Sequence, residues 1–215
     1  MFAILTLVAL VLLVIAERSR HRGARALTKV LASSGFMATA LAAGALESAW
    51  GQTLLVALGL SMVGDIFLIS RATAMFAGGL GAFLLAHVVF GVAFVVLGVD
   101  LGATAIVGAL LVVFIVKVAA WVLPHVPGRL RAPVIAYILA VSAMAALAIG
   151  ASWSSGEPAI AIAGVAFLIS DVFVARDRFV TPGFANRLYG LPLYYGAQVL
   201  FALHAGAPGG ALVLT

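Results

Sequence analysis

Ionisable side chains inside long apolar segments are the residues of this sequence with the clearest chemical potential. Asp65, Asp171, Lys29 and His87 each lie within such a segment. A charged side chain inside a bilayer costs about 2.5–3.5 kcal/mol on insertion scales, so each one requires a partner or a function. Two carboxyl groups in one low-dielectric pocket do not ionise together readily, so the pair can supply both a proton donor and an anion. Glycosidases use such a pair around an oxocarbenium-like transition state, and the two aspartates therefore suggest acid–base catalysis.

Three of these residues are predicted to lie at one depth. Counted from the nearest loop arginine along a helical rise, Asp65 lies about 9 Å inside the membrane boundary, Asp171 about 7–8 Å and Lys29 about 6 Å. By the same measure His87 and Gln198 are about 16 Å deep, near the middle of the bilayer. The spacing predicts a polar pocket with two layers, in one half of the membrane.

Structural interpretations compete with these functional ones. Lys29 could extend its amine to the interface, as a lysine near a helix end often does, and Lys117 could do the same or pair with a carboxylate. His87 alone could be a hydrogen-bond donor between helices. A structural Asp–Lys pair would explain one aspartate, but not two at similar depth with similar flanking residues.

The composition indicates a membrane protein. The chain of 215 residues is 65% hydrophobic and 9% charged, with a mean hydropathy of +1.27, whereas soluble domains are about a quarter charged. The absence of cysteine excludes a disulfide framework and a thiolate metal site, and the sequence has no close His/Asp/Glu cluster, so we expect neither metal nor cofactor. The net charge of +5 comes with basic residues in short loops, which is typical of membrane orientation and not of nucleic-acid binding.

Eight apolar segments, each near the roughly 20 residues that span a bilayer, must position these side chains. The segments are 2–16, 27–46, 53–70, 75–97, 101–123, 133–150, 159–175 and 188–205. We therefore predict an all-α integral membrane bundle of about eight transmembrane helices, forming a single domain over residues 1–215.

The loops between these segments alternate in charge. The odd-numbered loops hold Arg18, Arg20, Arg22, Arg25, Arg71, Arg129, Arg131, Arg176, Arg178 and Arg187, and the even-numbered ones hold only Glu47, Asp100 and Glu157. The positive-inside rule then predicts cytoplasmic odd loops and both termini outside, in a multi-pass protein of the cell membrane. Basic residues follow the first apolar segment instead of preceding it, which predicts an uncleaved first helix.

A weak internal repeat relates the two halves of the chain. Gly-Asp-Ile-Phe-Leu at 64–68 resembles Ser-Asp-Val-Phe-Val at 170–174, and Ala-His-Val-Val-Phe at 86–90 resembles Ala-Gln-Val-Leu-Phe at 197–201. Both pairs are four helices apart, which favours two parallel four-helix halves. Similarities of five residues in an apolar chain also arise by chance, and that alternative stays open.

Several short motifs follow one another in a specific order along most of the chain. They are Leu-Thr-Lys at 27–29, Gly-Asp at 64–65, Phe76 with Gly-Ala-Phe-Leu-Leu-Ala-His at 81–87, Phe-Leu-Ile-Ser-Asp at 167–171 with Arg-Phe at 178–179, and Tyr-Tyr-Gly-Ala-Gln at 194–198. With these motifs the sequence resembles the lysoplasmalogenase family, the YhhN-like and transmembrane-86 proteins.

The resemblance implies hydrolysis of the vinyl-ether bond of lysoplasmalogens to a fatty aldehyde and a glycerophospho-alcohol. Vinyl ethers hydrolyse by protonation of the β-carbon, so they need an acid, and an anion that stabilises the resulting cation and activates water. Asp65 and Asp171 would form this acid/base pair. The expected substrate-binding residues are Lys29 at the phosphate, with His87, Tyr194, Tyr195 and Gln198 around the pocket. The expected partners are a lysophospholipid of the cytoplasmic leaflet and membrane lipids, without nucleic acid.

Two other classes remain as alternatives. A proton-coupled transporter could use the two aspartates and the histidine as a relay, although glycine and proline are not concentrated at the middle of paired segments. An intramembrane aspartyl protease also uses two aspartates, but the residues before Asp65 and Asp171 complete neither of its motifs.

Overall fold

The computed structural model describes residues 1–70 and 72–206 and contains, within them, eight α-helices. They are α1 (Phe2–Ser19), α2 (Arg22–Ala42), α3 (Ala49–Phe67), α4 (Thr73–Leu97), α5 (Leu101–Val122), α6 (Gly128–Ser155), α7 (Pro158–Ala175) and α8 (Phe184–Leu203). The predicted all-α membrane bundle is confirmed. Arg71 and residues 207–215 lie outside the described residues, so the third-loop arginine and the side of the C-terminus stay predictions.

In this part of the chain six of the eight helices, all except α2 and α8, are individually long and apolar enough to cross a membrane. The other two carry polar side chains that point into the bundle. Ser33 and Thr39 of α2, and Asn186 and Gln198 of α8, are all buried. The protein is therefore a multi-pass membrane protein in which α2 and α8 line a polar interior.

Most of the helices begin before the predicted apolar segments, and α2, α3, α5 and α8 end before those segments do. α2 begins at Arg22, not at residue 27, because the Nδ1 atom of His21 accepts a hydrogen bond from the Ala24 amide at 3.0 Å and caps the helix. α6 covers Gly128–Ser155 against a predicted 133–150, and ends at Gly156 with a φ of 75°. An apolar segment marks only the part of a helix within lipid, whereas backbone hydrogen bonding continues into the interface until a cap ends it.

Consecutive helices pack as hairpins, and α8 lies where the hairpins meet. α1 packs against α2, α3 against α4 and α7 against α8, while α8 also contacts α1, α2 and α3. Fully buried aromatic side chains fill the centre of the bundle, namely Phe36, Phe90, Phe94, Phe167, Tyr195 and Phe201. The ends of α3 and α7 thereby meet the beginnings of α2 and α8 at the end of the bundle that carries the odd-numbered loops.

α5 is the exception to this packing. It contacts mainly α6, and Val122 is the single buried residue of this helix, all of which the structure describes. Its exposed side chains are hydrocarbon, apart from Lys117 and the indole of Trp121. α5 is thus an outer wall that lipid covers on most sides.

Candidate active site

Asp65 lies in the last turn of α3 and is surrounded by donors from α2 and α8. Its Oδ1 atom is 3.2 Å from the Lys29 ammonium. Its Oδ2 atom accepts hydrogen bonds from the hydroxyls of Ser33 at 2.7 Å, Tyr194 at 2.8 Å and Tyr195 at 3.4 Å. The carboxyl side chain is 4% exposed. Buried charges persist when they are paired and hydrogen-bonded in this way, so the surroundings suit a carboxylate anion.

Two of these contacts follow directly from helix geometry. Lys29 and Ser33 are four residues apart on α2 and therefore share one helix face, and both reach the same carboxylate on α3. The structure places Lys29 in the bundle and not at the lipid interface, because its side chain is 14% exposed and paired.

Asp171 lies near the end of α7 and has different surroundings. Its Oδ2 atom is 3.3 Å from the Nε2 atom of His87 on α4, and its side chain is 11% exposed. The Tyr137 hydroxyl of α6 interacts with the same carboxyl group. Within the described residues, however, Oδ2 makes no hydrogen bond of good geometry. One oxygen of Asp171 is therefore available to hold a proton.

Aromatic rings hold His87 beside Asp171. The imidazole is 4.7 Å from the Phe167 ring and 5.0 Å from the Tyr137 ring, between ring centroids, and the Tyr137 contact is edge-on. The histidine is fully buried, and neither ring nitrogen has a hydrogen-bond partner among the described residues. This packing fixes the orientation of the ring towards the carboxyl group.

Both aspartates line one chamber, which has a volume of about 330 Å³. Lys29, Tyr137 and Tyr194 also line it. Three predicted site residues do not line the chamber but lie behind the side chains that do, namely His87, Tyr195 and Gln198.

These residues lie in a second layer. His87 contacts Asp171, Tyr195 contacts Asp65, and Gln198 is completely buried one turn after Tyr194. The side-chain amide of Gln198 makes no hydrogen bond of good geometry among the described residues, although it interacts with Tyr194. The two membrane depths stay a prediction; the structure shows that His87 and Gln198 are buried and that His87 contacts Asp171 directly.

Arginines surround the opening of the chamber at the basic end of the bundle. This vestibule has a volume of about 940 Å³ and is lined by Arg18, Arg20, Arg22, Arg25 and Arg187. Glu17 pairs with two of them, because its Oε2 atom is 3.4 Å from Arg25 and 2.7 Å from Arg187. Arg187 also binds Asp177 at 3.1 Å, from the π-helical turn Arg176–Val180. The vestibule keeps an excess of positive charge.

Ser33 and Tyr137 are site residues that the sequence prediction missed. Ser33 could have been found, because its position one turn after Lys29 places a hydroxyl beside the amine. Tyr137 carried no such signal, since its partner Asp171 lies on another helix and the pairing of α6 with α7 was not predicted. In the described part of the chain no three His, Asp or Glu side chains converge as metal ligands.

Comparisons with known proteins agree with the motifs. A profile of the YhhN family matches residues 24–205. The chain is also similar to the protein named lysoplasmalogenase TMEM86A of Bos taurus, with 30% identity over 158 residues, which is 71% of this chain and 64% of the relative. The chain thus spans just under two thirds of that relative's length. No solved structure matches it significantly. The profile match covers nearly all of the helices that build the chamber, and the chain belongs to the YhhN family.

Proposed function

We propose that the protein is a membrane hydrolase that cleaves the vinyl-ether bond of lysoplasmalogens. The observation that carries this proposal is that Asp65 and Asp171 line one chamber in opposite settings. Asp65 is surrounded by donors, whereas one oxygen of Asp171 makes no hydrogen bond within the described residues. Acid–base catalysis through a cation requires such a division between an anion and a proton donor.

The reaction begins when an acid transfers its proton to the β-carbon of the vinyl ether. This leaves an oxocarbenium ion, and water adds to its α-carbon and releases a proton. The hemiacetal that forms then breaks into a fatty aldehyde and a glycerophospho-alcohol. In our proposal Asp171 donates the first proton, and its carboxylate accepts the proton that water releases.

Asp65 stabilises the cation without exchanging a proton. Its negative charge is partly balanced by Lys29, so its second contribution is to hold the Tyr194 hydroxyl at the chamber wall. A fixed hydroxyl of this kind can orient the attacking water, since pre-positioned dipoles cost no reorganisation during the reaction. His87 acts through Asp171, because its buried imidazole lies beside the carboxyl group and holds it in position.

The vestibule suits the phosphate of the substrate. Its arginines present planar groups that bind phosphate oxygens in pairs, and Lys29 lies deeper, at the chamber wall. We infer that the phosphate binds among the arginines and that Lys29 meets the glycerol oxygens. Because the positive-inside rule predicts that this end is cytoplasmic, the substrate would come from the cytoplasmic leaflet.

The test is to incubate the purified protein with lysoplasmalogen and measure the release of fatty aldehyde. The saturated alkyl-ether analogue has the same head group and no double bond to protonate, so it should release none. Glu157→Gln, at the opposite end of the bundle, should keep the wild-type rate. Aldehyde release at the rate of a protein-free blank would refute the proposal.

A further inference from the structure

A second cavity adjoins the chamber and differs from it in chemistry. It has a volume of about 60 Å³ and lies between α4, α5, α6 and α7. Among its lining residues only Asp171 and Tyr137 carry a polar side-chain atom, and all the others are aliphatic or phenylalanine. A cavity with such walls favours hydrocarbon over water.

This apolar cavity adjoins the polar chamber across shared side chains. Six residues line both, namely Leu68, Phe76, Phe83, Tyr137, Asp171 and Val174. The carboxyl group of Asp171 is therefore at the boundary between a polar and an apolar space. A molecule that reaches from one space into the other passes beside that carboxyl group.

The shape of the apolar cavity restricts what can fill it. Its wall on α6 runs from Val134 to Val141, and its wall on α4 runs from Phe76 to Phe83. Seven residues of helix correspond to about 10 Å along the bundle axis. The small volume and this length describe a narrow slot that matches part of one hydrocarbon chain.

We propose that this slot binds the single alkenyl chain of the substrate, with the vinyl-ether carbons at Asp171. The inference rests on the proposed function and adds to it the position of the chain. The head group then lies on the vestibule side of Asp171 and the chain on the other side.

α5 forms the outer wall of the slot, through Phe114, Val118 and Val122. Since α5 packs mainly against α6 and has a single buried residue within Leu101–Val122, lipid is its main neighbour on the outside. The alkenyl chain of a lipid can therefore enter the slot from the bilayer when α5 moves aside, while the head group of that lipid stays at the basic end. Residues on the inner face of α5 should control which chains are accepted.

Two substitutions on α5 form a matched pair for the test. Val118→Trp fills the slot, whereas Val116→Trp adds the same ring to a side chain that is 60% exposed on the outer face. Purified variants are assayed for aldehyde release from a hexadecenyl lysoplasmalogen and from a butenyl analogue too short to fill the slot. A single methylene in an apolar pocket can change a rate about 10-fold or more, so Val118→Trp should lower kcat/KM for the hexadecenyl substrate at least about 10-fold. Its kcat/KM for the butenyl analogue should fall less than its kcat/KM for the hexadecenyl substrate, and both activities of Val116→Trp should change by less than about threefold.

The outcomes separate this inference from the proposed function. If the wild-type protein cleaves neither substrate, the proposed function fails. If the wild-type protein cleaves both and Val118→Trp treats them as the wild type does, the chain does not bind in the slot. A loss on both substrates would reflect damage to the fold, and photolabelling of the wild-type protein then decides. A lysophosphatidylcholine with a diazirine in the half of its chain nearer the glycerol should label the α5 and α6 residues of the slot, and labelling confined to other helices would overturn the inference.

Discussion

The two aspartates have the same side chain, a similar depth and different neighbours. Asp65 has four partners within 3.4 Å, whereas the Oδ2 atom of Asp171 lies 3.3 Å from His87 and makes no hydrogen bond of good geometry within the described residues. The sequence predicted a proton donor and an anion but did not decide which aspartate is which, because the residues around each one carry no information about the helix opposite. The difference arises from α2 and α8, which reach only Asp65. We therefore assign proton transfer to Asp171 and charge stabilisation to Asp65.

Removing the titrating proton of Asp171 should slow vinyl-ether hydrolysis strongly. Asp171→Asn keeps volume and polarity, and we expect kcat for aldehyde release to fall at least about 10²-fold, a lower bound for general acid–base catalysis. Asp65→Asn should cause a loss of similar size, and the double variant should be little worse than the worse single variant, since the two residues act as one unit. Aldehyde release must be the readout, because a transporter would lose uptake in the same variants. Full hydrolytic activity of Asp171→Asn would contradict the assignment.

Lys29 should be important for stability as well as for binding. Lys29→Met leaves the buried carboxylate of Asp65 without its ionic partner, and breaking a buried pair costs roughly 3 kcal/mol or more. We expect a clear drop in the melting temperature of the purified protein in detergent. Lys117→Met, which removes an exposed lysine from α5, is the matched control and should leave the melting temperature unchanged. Equal melting temperatures for the two variants would mean that the Lys29–Asp65 pair contributes little.

At the scale of the elements, close approach between helices builds the chamber. A Cβ atom added at Gly64 of α3 would lie 2.6 Å from the Phe83 ring of α4. That ring is itself held edge-on by Phe167 and Tyr194, so it has little freedom to move. Glycine beside Asp65 therefore allows α3 and α4 to meet directly behind the carboxylate. The absence of a side chain at this position is part of the site.

Gly64→Ala should accordingly disturb both the fold and the reaction. Forcing the Phe83 ring aside should cost about 1–3 kcal/mol of stability, as overpacking usually does, and should narrow the chamber that this ring lines. Gly59→Ala on the same helix is the control, because a Cβ there meets nothing within 4 Å. That change should stabilise the protein by about 0.4–1 kcal/mol through the unfolded chain. Thermal melting and aldehyde release should be measured on both variants. We expect both to fall in Gly64→Ala and neither to fall in Gly59→Ala.

The helices themselves were largely predictable, and their neighbours were not. Apolar segments give the number of helices because lipid imposes a length and a hydropathy on each one. The beginning of α2 was misplaced, since the cap at His21 and the arginines after it lie outside the apolar segment. The pairing of α6 with α7, which brings Tyr137 to Asp171, depends on packing between surfaces of similar composition. A single sequence does not distinguish among such surfaces.

On the scale of the whole molecule, polarity changes from the vestibule to the chamber and from the chamber to the slot beside it. Positive charge surrounds the vestibule, the ionisable side chains of Asp65 and Asp171 lie in the chamber, and the apolar slot follows. A lysophospholipid has the same order of phosphate, ether and hydrocarbon. The agreement extends over three separate cavities, so it does not depend on any one contact.

Charge at the vestibule should affect substrate capture more than catalysis. Neutralising Arg20 and Arg22 together, by Arg→Gln, should raise KM about fivefold if each exposed charge contributes roughly 0.5 kcal/mol. The value of kcat should not change, which is the signature of lost uniform binding. Arg129→Gln removes an exposed charge at the same end but outside the vestibule, and should leave KM as it is. Higher salt should raise KM for the wild-type protein more than for the double variant, because screening weakens the same attraction.

The hydrogen bonds from α8 to Asp65 have a consequence for synthesis. Tyr194 and Tyr195 follow Asp65 by 129 and 130 residues, whereas Ser33 precedes it by 32. While the ribosome is still making the later helices, Lys29 and Ser33 can already bind the carboxylate, and the tyrosines do not yet exist. A polypeptide released before α8 emerges therefore has a paired Asp65 and an unfinished catalytic centre. The set of donors around Asp65 is therefore completed only when α8, the last helix, has entered the membrane.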